Sequence, residues 1–168
     1  LLFFVREPSA DVQASRNPRN DFRTLIQNFP LIFTKNKQMT LQETISAVET
    51  FHNAFGIANN QAPTTDLSSA DIELRHRLMQ EENEEYLEAA KNGDLVEVAD
   101  ALGDQLYILC GTILKHGLQH KIEEVFEEIQ RSNMSKLDAD GKPIYREDGK
   151  VLKSELYFKP NIAEILAK

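Results

Sequence analysis

The chain has 168 residues, 41% apolar and 27% charged, with a net charge of −8. This is enough for one domain with a tail and ordinary for a soluble globular chain. The acidic balance argues against a nucleic-acid polymer as partner, and no run of about 18 apolar residues is present to cross a membrane.

Residues 1–38 read unlike the remainder. They carry six basic and three acidic residues, a charge of +3 that leaves −11 for the rest, and Pro8, Pro18 and Pro30 interrupt them. The first methionine is Met39. The segment is expected to be a non-native or disordered leader without function.

From Thr40 a helical period sets in. Ile45, Val48, Phe51, His52 and Phe55 repeat at helical spacing up to Gly56, with Thr40 as N-cap and Glu43 completing a capping box. The spacing predicts a first helix over 41–55. His52 lies on its apolar stripe, where a packed core histidine is favoured over a substrate contact. Residues 56–68 read as a loop. A second helix is expected from about Ser69 to Lys91, ended by Asn92-Gly93. A third spans about Asp94 to His116, before Gly117, and a fourth covers 119–132, with Ile122, Val125, Phe126 and Ile129 on one face. Short turns between long helices favour an antiparallel four-helix bundle. Beyond Ser132, KPIYREDGKVLK reads as a small β-hairpin around Asp148-Gly149, followed by a short C-terminal helix. The one cysteine, Cys110, sits in YILCGTIL and reads as a small core residue, which fits a reducing cytoplasm. There is no internal repeat and no low-complexity tract.

The acids of the second and third helices set the functional question. On a wheel of about 100° per residue with Leu74 at zero, Glu85 falls at about 20°, Leu78 at about 40° and Glu82 at about 80°. Glu82 and Glu85 thus lie inside the apolar arc, whereas Glu73, Glu84 and Glu88 lie opposite it and Glu81 at its edge. A buried carboxylate needs a cation. Arg75, at about 100° on the same wheel, is the plain candidate, and a metal is the other. The third helix is apolar almost all round, the mark of a buried helix, except for one strip holding Glu97, Asp100 and Asp104. Alone, that strip could be a solvated edge. Facing a second acidic pair, it favours a divalent cation held by oxygen ligands, Mg²⁺ or Mn²⁺.

Other chemistries fit less well. Glu73-x-x-His76 is half of a di-iron motif whose second half is missing. His116 and His120 have Gly117 between them and no third ligand, which argues against zinc. No P-loop, GxGxxG, GxSxG or HExxH occurs. The stretch holding Arg131, Asn133, Lys136, Lys142, Arg146, Lys150 and Lys153 could bind phosphate or could be a solvated hairpin; its acids Asp138, Asp140, Glu147 and Asp148 weaken the phosphate signal.

The order of a helix, Glu81-Glu82-x-x-Glu85, a turn, an acidic helix, RSNMSKL and DGKPIYREDGKVLK resembles the all-α nucleoside triphosphate pyrophosphohydrolases, the MazG-like and phosphoribosyl-ATP pyrophosphohydrolase-like group. The likeness covers about residues 40–165, and RSNMSKL, the DGK segment and YFKP look like a bacterial and phage subgroup. The family's second motif is Glu-x-x-Asp. Glu97-x-x-Asp100 matches its spacing. Gly103-Asp104-Gln105-Leu106-Tyr107 matches its flanking residues and would set Ala101 where a glutamate is expected. The resemblance implies Mg²⁺-dependent cleavage of a nucleotide's α–β phosphoanhydride to a monophosphate and pyrophosphate. Glu82, Glu85, Asp100 and Asp104 would be metal ligands, and Glu97 a ligand or a supporting acid. Glu81 would act on the attacking water, and Asn133, Lys136, Lys142, Arg146 and Lys150 would meet the phosphates. It also implies a homodimer or a dimer of dimers. A non-enzymatic helical module binding metal or a basic partner is the alternative, and the base and sugar of the nucleotide stay open.

Overall fold

A computed structural model of the protein describes residues 38–168; the expectations for residues 1–37 lie outside it. Five helices follow in order: α1 (Leu41–Ala54), α2 (Ser69–Asn92), α3 (Leu95–Lys115), α4 (Ile122–Met134) and α5 (Ile162–Ala167). The described residues are mainly helical, with no strand among them, so the all-α reading stands. None of these helices is long and apolar enough to cross a membrane.

The ends of the helices follow from their capping residues. Thr40 and Glu43 form the expected capping box, the Glu43 N–H donating to Thr40 Oγ1 at 3.2 Å and the Thr40 N–H to Glu43 Oε2 at 2.9 Å. The Ser68 side chain caps α2 and that of Asp94 caps α3, each accepting from backbone N–H groups that have no partner within the helix. Gly93 ends α2 in the left-handed region at φ 71°, which costs glycine nothing and a side chain much.

At the far end of α3 the last carbonyls are taken up by the 56–68 loop. The Asn60 N–H donates to Leu114 O at 3.0 Å, Asn60 Nδ2 to Lys115 O at 2.6 Å, and the Thr64 N–H to His116 O at 3.0 Å. Gly117, at φ 65°, lies so close to the Ala62 backbone that a Cβ there would collide with it. The Gln119 side chain turns inward and donates to Asn60 O at 3.0 Å. Those inward ties hold residues 117–121 in a turn, so α4 begins at Ile122 rather than at 119.

α2 and α3 form a helical hairpin. Asp71 faces Lys115, Arg75 faces Gly111 and Glu82 faces Gln105; the numbers rise on one helix as they fall on the other, so the two run antiparallel. α1 lies on the C-terminal half of α3. There Ile45, Val48, Cys110, Ile113 and Leu114 make the buried core, with Tyr107, Leu118 and Ile122 packed against it, and the Phe51 and Tyr107 rings meet edge-on at 5.7 Å. Cys110 is a free, fully buried thiol, as its apolar surroundings imply.

α4 packs chiefly against α5. Glu128 binds the two, accepting from the Asn161 N–H at 2.8 Å and pairing with Arg131. Between them, the Asp148-Gly149 turn reverses the chain. The Arg146 N–H donates to Lys150 O at 2.8 Å and the Leu152 N–H to Ile144 O at 2.7 Å, but among the described residues the pairing amounts to the isolated antiparallel bridge Tyr145–Val151. Exposed side chains on both arms leave the ladder nothing to pack against.

The N-terminal half of α3 differs from its buried C-terminal half. Leu95 is 78% exposed and Val96 75%, and Leu102, Leu106 and Leu109 continue an uncovered apolar face.

Candidate metal centre

Of the acids that the wheel set on the inner arcs, Glu82 is buried and Asp104 half-buried in the middle of the α2–α3 hairpin, while Glu85 and Asp100 are exposed. Glu82 is 5% exposed. Its backbone carbonyl accepts from Gln105 Nε2 at 3.2 Å, but its Oε2 is buried with no hydrogen-bond partner. Burial pushes its carboxyl above the usual carboxylate range, and the charges of Glu85, Asp104 and Asp100 push it further. Those four residues, two from each helix, therefore share one electrostatic neighbourhood. Asp104 is half-buried and also acts on Tyr107, whose hydroxyl is held above its ordinary value by burial and by Asp104.

The borderline acids fall outside this group. Glu97 sits exposed on the first turn of α3 and is not among the charges acting on Glu82. Glu81 is exposed and forms an i,i+4 ion pair with Arg77 at 3.7 Å. Glu73 and His76 lie exposed, and His116 spends its Nδ1 on Thr64 O at 2.9 Å. Among the described residues, no three Asp, Glu, His or Cys side chains stand close enough to hold a metal as they are. The donor chemistry nonetheless suits a hard divalent cation. All four groups offer oxygen, and one oxygen, Glu82 Oε2, is buried without a partner.

The basic residues of the C-terminal segment form a separate, largely self-satisfied set. Lys136 donates to Asn133 Oδ1 at 2.8 Å. Arg146 is bidentate on Asp148, Arg131 pairs with Glu128, and Lys153 stands over the Tyr157 ring. The side chains of Lys142 and Lys150 are exposed and make no ion pair among the described residues. Among the described residues, no hydrogen bond or ion pair connects this set with the acids of α2 and α3.

Arg75 does not neutralise Glu82. It lies two turns away on the same helix, over Gly111, with its Nη1 2.7 Å from the point a Cβ there would occupy and His52 Nε2 3.1 Å from that point. Beside it Lys115, only 8% exposed, pairs with Asp71 at 2.9 Å. His52, 3% exposed, shares a 2.6 Å hydrogen bond between its Nδ1 and Asn59 Oδ1, so it is a core histidine. Burial above all, with Arg75 and Lys115 beside it, lowers its pKa from 6.5. Sequence reasoning missed this cationic end. Its signal was Gly111, seven residues from Asp104 and so on the same helical face, where a mid-helix glycine costs about 1 kcal/mol relative to alanine.

Residues 48–133, slightly more than half of the chain, match the family model described as phosphoribosyl-ATP pyrophosphohydrolase. The matched stretch encloses the whole α2–α3 hairpin, with both its acidic and its cationic ends. No curated protein matches the chain.

Proposed function

The chain belongs to the phosphoribosyl-ATP pyrophosphohydrolase family, within the MazG-like all-α superfamily, and on that premise we propose that it is a Mg²⁺-dependent nucleotide pyrophosphohydrolase. It would cut the α–β phosphoanhydride of a nucleoside triphosphate or a related nucleotide, releasing a monophosphate and pyrophosphate. The observation that carries this reading is the buried, partnerless Oε2 of Glu82 amid the charges of Glu85, Asp104 and Asp100. An ionised carboxylate out of water needs a cation, and Arg75, two turns away over Gly111, does not reach it.

Glu82 and Glu85 from α2 and Asp100 and Asp104 from α3 would hold the metal, Asp100 rather than Glu97 completing the set. Bound there, a divalent ion would neutralise charge on the phosphate oxygens and lower the pKa of water. To Glu81 we assign the proton of the attacking water. It neighbours Glu82, and its surface pair with Arg77 costs little to open. Water adds to the α-phosphorus, the bond to the bridging oxygen breaks, and pyrophosphate leaves with the electron pair. Lys142 and Lys150, whose charges have no local partner, would assist at the phosphates, with Asn133, Lys136 and Arg146 flanking them.

The uncovered stripe Leu95, Leu102, Leu106 and Leu109 supports self-association, because contiguous apolar surface of this kind marks an interface. A second copy on this face would complete the bundle. Leu106→Glu is expected to convert the oligomer to a monomer in analytical ultracentrifugation; a wild-type chain that sediments as a monomer at micromolar concentration refutes the self-association.

The activity is tested by pyrophosphate release from a panel of nucleotides with and without Mg²⁺. Metal-dependent release that Glu82→Gln abolishes supports the enzyme. No release from any nucleotide, phosphoribosyl-ATP included, together with unchanged metal binding in Glu82→Gln, leaves a non-enzymatic module.

A further inference from the structure

Two turns of α2 from the carboxylates, about 10 Å by helix rise, the same seam changes sign. Arg75 is half-buried and desolvated. It has five N–H donors, yet no hydrogen bond or ion pair reaches it among the described residues. The opposite charge that acts on it is Asp71, whose carboxylate already takes Lys115 Nζ at 2.9 Å and the Ser68 hydroxyl at 2.8 Å. His52 adds no negative charge, and its Nδ1 is engaged by Asn59. Arg75, Lys115 and Asp71 together leave one positive charge in excess, partly out of water. The lack of a side chain at Gly111 keeps clear the space in which the guanidinium lies.

We propose that Arg75, seated over Gly111 and backed by Lys115, is a phosphate-binding subsite for the nucleotide whose anhydride is cut at the carboxylates. This rests on the pyrophosphohydrolase reading of the acidic end. A planar guanidinium with free donors recognises phosphate bidentately, and a bound phosphate supplies the partner that a desolvated cation lacks. Substrate held at the acids by its α- and β-phosphates would reach Arg75 with an outer phosphate. That group is either the γ-phosphate, which leaves within pyrophosphate, or a second phosphate carried elsewhere on the nucleotide.

The experiment uses the full chain and two readouts. The first is calorimetric titration with inorganic tripolyphosphate in chelator, where the uncompensated carboxylates repel the probe and binding reports the cationic end. Wild type and Glu82→Gln should bind; Arg75→Gln should bind at least tenfold more weakly, and Arg75→Lys should recover part of the loss. Gly111→Ala keeps Arg75 but sets a Cβ 2.7 Å from its Nη1; it should weaken binding too, and it decides the matter if Arg75→Gln does not fold. The second readout is steady-state pyrophosphate release with Mg²⁺. Arg75→Gln should raise KM at least tenfold while kcat moves less than threefold. If the preference for triphosphates over diphosphates disappears in the variant, Arg75 takes the γ-phosphate; if that preference stays but phosphoribosyl-ATP loses its advantage over ATP, it takes the remote phosphate. Tripolyphosphate that fails to bind wild type, or binds Arg75→Gln as tightly, overturns the subsite. Arg75-dependent binding in a chain that releases no pyrophosphate keeps the subsite and overturns the enzyme.

Discussion

At one end of the α2–α3 seam Lys115 meets Asp71 at 2.9 Å and His52 is tied to Asn59. Two turns away, Glu82 faces Glu85, Asp104 and Asp100 with one buried oxygen unpartnered. Both ends put charge between packed helices, but at the cationic end Asp71 answers Lys115, whereas among the described residues no ion pair reaches Glu82, Glu85, Asp100 or Asp104. Burial of a paired charge is tolerated, while burial of an unpaired one draws on stability. The contrast sets a stretch of the seam where Lys115 and His52 have partners against one where a buried carboxylate oxygen has none.

Glu82→Gln offers the sharpest break of that contrast. Activity is expected to fall by about a hundredfold or more, the scale of removing one charge-stabilising group from a reaction centre. Without metal, the same variant should be more stable than wild type at neutral pH, because glutamine removes the buried charge and its repulsion with Glu85, Asp104 and Asp100. Calorimetry in chelator and with added Mg²⁺ checks both: the ion should raise the melting temperature of wild type and not of the variant. A variant less stable in chelator would mean that Glu82 is paired after all.

Lys115→Met tests the opposite end, with the opposite sign. It leaves Asp71 without the amine that holds its carboxyl below the usual range. Because Asp71 keeps access to water, the expected loss is about 1–2 kcal/mol rather than the larger figure for a fully buried pair. Urea unfolding reads it directly.

The smallest effect is a pH dependence in which the two ends pull apart. Folded Glu82 holds its proton to a higher pH than the unfolded chain does, so its penalty appears as pH rises through that raised value and is relieved on acidification. Folded His52 releases its proton at a lower pH than its ordinary 6.5, so the unfolded chain is protonated first and stability is lost as pH falls below about 6.5. In chelator, melting curves of Glu82→Gln should keep the acid-side loss, and those of His52→Gln should lack it.

Much of this was legible without coordinates because it depends on local chemistry. Thr40 and Glu43 announce a capping box, Asn92-Gly93 a helix end, and the 100° step of a helix sorts the buried Glu82 from the exposed Glu84 and Glu88, although Glu85, set on the same arc as Glu82, is exposed. The hairpin around Asp148-Gly149 was read from turn chemistry too, and there the single bridge shows the limit: a turn signal says where a chain reverses, not whether its arms find a surface to lie on.

By itself, then, the sequence determined the helices, the turns and the inward place of Glu82, since these follow from backbone capping and from a fixed angular period, while the exposure of Glu85 and Asp100 was decided by what packs beside them. Only the tertiary structure decided which charges meet across the seam. That Arg75 lies over Gly111 instead of pairing with Glu82, that Lys115 answers Asp71, and that Asp100 rather than Glu97 acts on Glu82 all depend on the register of two antiparallel helices. Shifting that register by one turn leaves every local signal unchanged and alters every partner.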